Sequence, residues 1–162
     1  MIKHVRGNAI SMFIDDEGDN AFAHGANCLC KMERETGIAH EVRTRLHELW
    51  EEDQATIPGD SSKLGSFSCS KWAINDGRVN HIAYNLYTQF HNTDENDLLD
   101  YDALRSCFKK MREHMQSYGI SKVYIPKIGT GLAKGDWSKI LTIIEEETPD
   151  ITVVVVEYDP GA

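Results

Sequence analysis

The sequence contains no run approaching the roughly 20 consecutive apolar residues that a helix needs to cross a bilayer, so no membrane partner is expected. Its first residues, Met1-Ile2-Lys3-His4-Val5-Arg6, lack the apolar stretch and small-residue cleavage site of a secretory leader, which points to the cytoplasm. Positive charge is in deficit: 17 basic against 26 acidic residues leave a net charge of −9. A surface of that sign repels a phosphate backbone and argues against broad nucleic-acid binding. A small anion remains possible, held locally by backbone N–H groups and helix N-termini. Cysteine is scarce and oddly spaced. Cys28 and Cys30 form a Cys-x-Cys that matches neither a redox pair nor the usual zinc spacing, and Cys69 and Cys107 stand apart. Reduced, partly buried thiols are expected, with neither a metal nor a cofactor; were the segment extended, Cys28 and Cys30 would point to opposite faces. No internal repeat, low-complexity segment or linker divides the chain. Its 162 residues fit one domain, expected to be a monomer.

The pattern of apolar residues alternates between strand and helix. Ile2 to Val5 reads as a first strand ending at Gly7, and Ala21 to Ala26 as a second after the acidic turn Asp15 to Asn20. A helix is expected from Gly37, with Ile38, Val42, Leu46 and Leu49 on one side. Ser66 to Trp72 and Val79 to Thr88 read as an antiparallel hairpin around Asn75-Asp76-Gly77. A long helix follows from Asp100, its N-cap, to Tyr118, with Tyr101, Leu104, Phe108, Met111 and Met115 as its core stripe. Lys122 to Pro126 is a short strand. Asp136 to Glu147 is a helix with Trp137, Ile140, Leu141 and Ile144 facing inward, and Ile151 to Val156 is a strand covered on both faces. The expected architecture is an α/β/α sandwich around a mixed, mainly parallel sheet, with ligands bound beyond the carboxyl ends of the strands.

Two strand-to-helix junctions carry the chemistry. Ile125-Pro126-Lys127-Ile128-Gly129-Thr130-Gly131-Leu132-Ala133-Lys134-Gly135-Asp136-Trp137 holds three glycines in seven residues. Glycines there let successive N–H groups converge on phosphate oxygens before a helix N-terminus. It is neither a Walker loop nor a dinucleotide fingerprint. The second junction, His24-Gly25-Ala26-Asn27-Cys28-Leu29-Cys30, runs through Arg34 to Gly37-Ile38-Ala39. His24 and Asn27 stand where the strand gives out, Asn27 suited to a sugar hydroxyl and Gly37 to a close approach of phosphate. The plainer alternatives are a hydrogen-bonded structural histidine at His24 and a simple helix cap at Asp136.

Together with Lys63-Leu64-Gly65-Ser66-Phe67, Asn85-Leu86-Tyr87-Thr88-Gln89 and the stretch 101–110, these blocks occur in order along almost the whole chain. The set resembles one branch of the macro domains, the phosphatases that act on ADP-ribose 1″-phosphate, many of them bacterial or phage-encoded. The resemblance implies ligand contacts at Asn8, Ala9 and Ile10; at Asn27 and Arg34; at Gly37, Ile38 and Ala39; and at Ile128, Gly129, Thr130, Gly131 and Leu132. It places the catalytic histidine and aspartate on His24 and Asp136, a pairing able to move a proton and activate water or to attack phosphorus. Tyr158, just after the last strand, suits stacking on the base. Two departures stand out. The longer, charged Glu33-Arg34-Glu35-Thr36-Gly37 replaces a short glycine loop, and Gly7-Asn8 replaces the glycine–aspartate that binds adenine. An asparagine accepts from the adenine amino group but also offers a donor, which loosens base selectivity.

Three functions follow in order. The first is a metal-independent phosphatase of ADP-ribose 1″-phosphate. The second is a hydrolase that releases ADP-ribose from a modified protein or nucleic acid, and the third a non-catalytic reader of ADP-ribose. The lysine and aspartate that one hydrolase branch uses fall on Gln89 and Ala133, which counts against that chemistry. The expected partner is an ADP-ribose derivative, free or attached to a macromolecule.

Overall fold

A computed structural model describes residues 1–32, 37–91, 99–129 and 135–161. Within them the chain runs β1 (Ile2–Gly7), α1 (Ala9–Asp15), β2 (Asn20–Asn27), α2 (Ile38–Arg45), α3 (His47–Gln54), β3 (Phe67–Ala73), β4 (Val79–Gln89), α4 (Tyr101–Ser117), β5 (Lys122–Ile125), α5 (Trp137–Glu147) and β6 (Thr152–Tyr158), with one 3-10 turn at Ser61–Lys63. The six strands form one sheet in the order β1-β6-β5-β2-β4-β3. All neighbours pair in parallel except β3, which returns antiparallel to β4 around the expected hairpin turn.

Alternation along the strands divides the core in two. Ala21, Ala23, Val123, Ile125, Val153 and Val155 meet α4 and α5 on one face. Phe22, Ala83, Val154 and Val156 meet α1, α2 and α3 on the other. Val153 to Val156 are therefore all buried, as their unbroken β-branched run requires. α4 buries Leu104, Phe108, Met111 and Met115 completely, each worth about 1.5–3 kcal/mol of transfer free energy. Asp100 caps it by accepting from the Ala103 N–H.

Four details depart from the pattern read in the sequence. α1 lies in a segment that carries no helical periodicity long enough to register, since it is only 7 residues. The helix expected from Gly37 breaks at Leu46 (φ −125°, ψ 56°) into α2 and α3. Val42, Leu46 and Leu49 are still all buried, so the apolar stripe continues across the break. On α5 Ile143 is buried where Leu141 was expected, leaving Leu141 half-buried. Cys28 and Cys30 sit in a turn, not an extended segment, with Cys30 in the left-handed region at φ 58°. Both are buried, and the four cysteines, all among the described residues, form no disulfide.

The parallel strands β1, β6, β5, β2 and β4 all end at the same edge of the sheet. At that edge β2 bulges between Ala26 and Asn27 as its loop departs. The connections beyond β1, β2, β5 and β6 meet there.

Candidate functional site

A cleft of about 500 Å³ opens beyond the ends of β1, β5 and β6. Asn8 and Ala9 form one wall, Gly37, Ile38 and Glu41 another, and Tyr158 stands at the rim. Its size suits a nucleotide-like ligand. α2 begins at Gly37 with φ 85° and ψ −168°, a conformation essentially reserved for glycine, and no side chain caps it. The N–H groups of Ile38, Ala39 and His40 therefore have no partner within the helix, and their partial positive charge borders the cleft beside the Glu41 carboxylate of the same turn. Tyr158 is 65% exposed, an unusual state for a ring of that size and a ready platform for a flat base.

Asn8 caps α1. Its Oδ1 accepts from the Ser11 N–H at 3.0 Å, while its Nδ2 donates to Glu41 Oε1 at 2.8 Å. Ile10 and Ala39 belong to the core packing beneath the cleft wall. Asn27 is buried and turned onto its own loop: Oδ1 accepts from Leu29 N at 2.9 Å, and Nδ2 donates to Lys31 O at 3.0 Å. Its amide organises the turn instead of standing free for a sugar.

The loop after β5 turns at Gly129, φ 79°, and closes where Gly135 N donates to Gly129 O at 2.6 Å. A Cβ on Gly129 would lie 2.9 Å from Leu99 Cδ2, a side-chain tip that could move aside, so it is the positive φ that favours glycine here. Ile128 is buried in the core below. Thr130, Gly131 and Leu132, like Arg34, lie outside the described residues. Asp136 is the N-cap of α5. Its Oδ1 accepts from Ser138 N at 3.0 Å, its own N–H donates to Tyr101 Oη at 2.9 Å, and the carboxyl is exposed.

The structure does not bring His24 and Asp136 together. His24 points to the α1–α3 face, stacked on Phe22 at 5.8 Å, whereas Asp136 caps a helix on the opposite face. Only 1% of His24 is exposed. Its Nε2 lies 2.6 Å from Asn85 Oδ1. Asn85 Nδ2 is committed as a donor to Leu49 O and Ser68 Oγ, so Oδ1 must accept and the imidazole is the Nε2–H tautomer. Burial holds the pKa of His24 down at about 4, against a weak upward pull from Asn85. The ring is neutral and enclosed, and its bond to Asn85 braces the end of β2.

Asn85 opens a buried polar chain that single-residue inspection of the sequence missed. Ser68 Oγ meets Tyr87 Oη at 2.8 Å, and Tyr87 donates to Asp53 Oδ1 at 2.8 Å. Burial raises the Asp53 pKa, with Tyr87, Lys63 and Gln54 pulling it back. Lys63, also buried, donates to Thr56 Oγ1 at 2.9 Å and lies 3.6 Å from Cys30 Sγ. The Lys63 and Asn85 blocks thus brace the loop at Cys28–Cys30 from behind. Glu41 was likewise missed; its only local sign is Arg45 four residues on, and its bond to Asn8 spans 33 residues.

No family model matches the sequence. An uncharacterized 17.5 kDa protein of Enterobacteria phage T4 is 32% identical over 162 residues, covering 99% of this chain and 98% of the phage protein. A shorter match, 35% over 57 residues, links 34% of this chain to 38% of the bovine ADP-ribose glycohydrolase OARD1. Among solved structures, a macrodomain protein from Streptomyces coelicolor superposes with a TM-score of 0.68 at 22% identity, covering 98% of this chain and 99% of the other. The Trypanosoma brucei macrodomain in complex with ADP-ribose does so with a TM-score of 0.62 at 15% identity, covering 96% and 63%. The chain has the macrodomain fold, and it belongs to the family of the phage T4 protein.

Proposed function

We propose that this member of the phage-protein family binds ADP-ribose in the cleft at the strand ends and removes the terminal phosphate of ADP-ribose 1″-phosphate. The observation that carries the binding is the uncapped N-terminus of α2, which lines the cleft together with exposed Tyr158 and with Pro126 of the loop after β5. An adenine would lie against Tyr158 and the diphosphate over the first turn of α2, where backbone N–H groups and the helix dipole favour negative charge. The distal ribose would then extend toward the loop closed at Gly129 and Gly135. The Trypanosoma brucei macrodomain, which shares the fold, is seen with ADP-ribose, in keeping with this reading.

For the chemistry, the motif resemblance supports the phosphatase, and Asp136 offers an exposed carboxyl at the start of α5, after the loop that turns at Gly129. Asp136 Oδ1 caps α5, which leaves the other oxygen to accept a proton from an attacking water. Water then displaces the sugar oxygen from phosphorus, giving ADP-ribose and inorganic phosphate, with the leaving oxygen protonated from solvent. His24 acts here as a positioning residue that fixes the end of β2 through Asn85. A second reading, release of ADP-ribose from a modified macromolecule, is favoured by the segment shared with the bovine glycohydrolase. Incubating the purified protein with ADP-ribose 1″-phosphate, and in parallel with ADP-ribosylated protein and DNA, separates the two. Phosphate release from the first supports the proposal. Turnover of only the modified macromolecules replaces it with the second reading, and turnover of neither leaves a reader.

A further inference from the structure

Asn8 occupies the position at which the resemblance implies a base-reading carboxylate, yet both ends of its amide are already engaged. The Ser11 N–H can only donate, so the atom facing it must be Oδ1. That leaves Nδ2 to donate to Glu41 Oε1, and a flipped amide would set N–H against N–H and oxygen against carboxylate. Arg45 Nη1 holds the same Glu41 oxygen at 3.2 Å and also donates to Ser11 Oγ at 3.0 Å. Two donors therefore pin Oε1, while Oε2 has no partner among the described residues. The Glu41 side chain is 24% exposed, and the residue lines the cleft that Tyr158 overlooks. Arg45 balances its charge beside a site that takes anions.

We infer that Glu41, not Asn8, reads the base: its unengaged Oε2 accepts a hydrogen bond from the exocyclic amino group of adenine. This rests on the proposed ADP-ribose site and adds a specificity-determining residue to it. The carboxylate absent at position 8 is supplied from the facing helix, with Asn8 reduced to holding it in place. An acceptor fixed in this way discriminates by charge as well as by geometry. A base with a carbonyl in place of the amino group, such as hypoxanthine, sets oxygen against oxygen and is rejected.

The test is calorimetric titration of ADP-ribose and its hypoxanthine counterpart, IDP-ribose, into the wild type, Glu41→Gln and Asn8→Asp, with the melting temperature of each. The wild type is expected to prefer ADP-ribose by about tenfold or more, the scale of a hydrogen bond to a charged group. Glu41→Gln still offers Asn8 and Arg45 an acceptor, but its amide can donate to the hypoxanthine carbonyl, so the preference should vanish or reverse. Asn8→Asp keeps the cap of α1 and separates the two candidates. If Asn8 reads the base, a carboxylate there sharpens the preference for ADP-ribose. If Glu41 does, the new carboxylate repels it and the preference weakens. A Glu41→Gln protein that keeps the wild-type preference overturns the inference, as does a sharpened preference in Asn8→Asp. Were Glu41→Gln not to fold, Asn8→Asp decides alone. A wild type that binds both ligands equally overturns the inference and spares the function; one that binds neither overturns both.

Discussion

Replacing His24 by glutamine should flatten the acid limb of the protein's stability while leaving its neutral-pH fold intact. In the folded state burial holds the His24 pKa at about 4 against an ordinary 6.5. The unfolded chain therefore takes up a proton below pH 6.5 that the folded chain refuses until about pH 4. Above pH 6.5 both states are neutral and the contribution is constant; as pH falls through the window, stability is lost. A tenfold change in proton affinity is worth about 1.4 kcal/mol, so the whole window removes about 3 kcal/mol. Glutamine retains a donor for Asn85 Oδ1 but cannot titrate, so the variant should lack that part of the slope. Urea denaturation of both proteins at pH 7, 5.5 and 4.5 reads the difference. At pH 7 the variant should lose about 1–2 kcal/mol through imperfect packing, and its turnover should stay within severalfold of wild type. Parallel pH dependences in the two proteins would refute the enclosed, neutral His24. A 10²-fold loss of turnover with normal melting would restore it to the catalytic machinery.

Other perturbations bear on other parts of the site. Among the described residues Gly37→Ala meets no atom within 4 Å of its new Cβ, so its effect is expected to be conformational: about 1–3 kcal/mol of strain and a loss of ADP-ribose affinity, read by melting and calorimetry. Affinity unchanged in a well-folded Gly37→Ala protein would remove α2 from the binding site. Asp136→Asn keeps a comparable cap, so melting should hold while phosphate release falls about 10²-fold. A parental rate would make Asp136 a cap alone. Turnover should survive EDTA, because the loops are proposed to stabilise phosphate through backbone N–H groups; activity lost to the chelator and restored by magnesium or zinc would contradict that.

The fold was legible because its signals are local. The α4 stripe, the Asp100 cap, the Asp76-Gly77 turn and the unbroken valines of β6 each state their conformation within a few residues. α1 was not legible, since seven residues hold too few turns to show a period, and its cap function at Asn8 looked like a ligand contact. The break at Leu46 also escaped, because a buried stripe can run through two short helices as well as through one. In the site, Gly37 and Gly129 announced their backbone conformations by residue type. The roles of His24, Asn27 and Glu41 depended on which face of a strand or which wall of a cleft each side chain meets. His24 alternates onto the face opposite α5, and its partner Asn85 is 61 residues away. Asn27 sits at a strand end, as a ligand contact should, but its amide turns inward to the Leu29 and Lys31 backbone.

Whether the cleft beside α2 takes ADP-ribose is read by isothermal titration of the wild-type protein with ADP-ribose and with AMP. Saturable binding of ADP-ribose is expected, with a dissociation constant of about 1 μM, roughly −8 kcal/mol, and weaker binding of AMP, which lacks the second phosphate and distal ribose. No saturation at millimolar ADP-ribose, or equal affinity for AMP, would contradict the proposed binding.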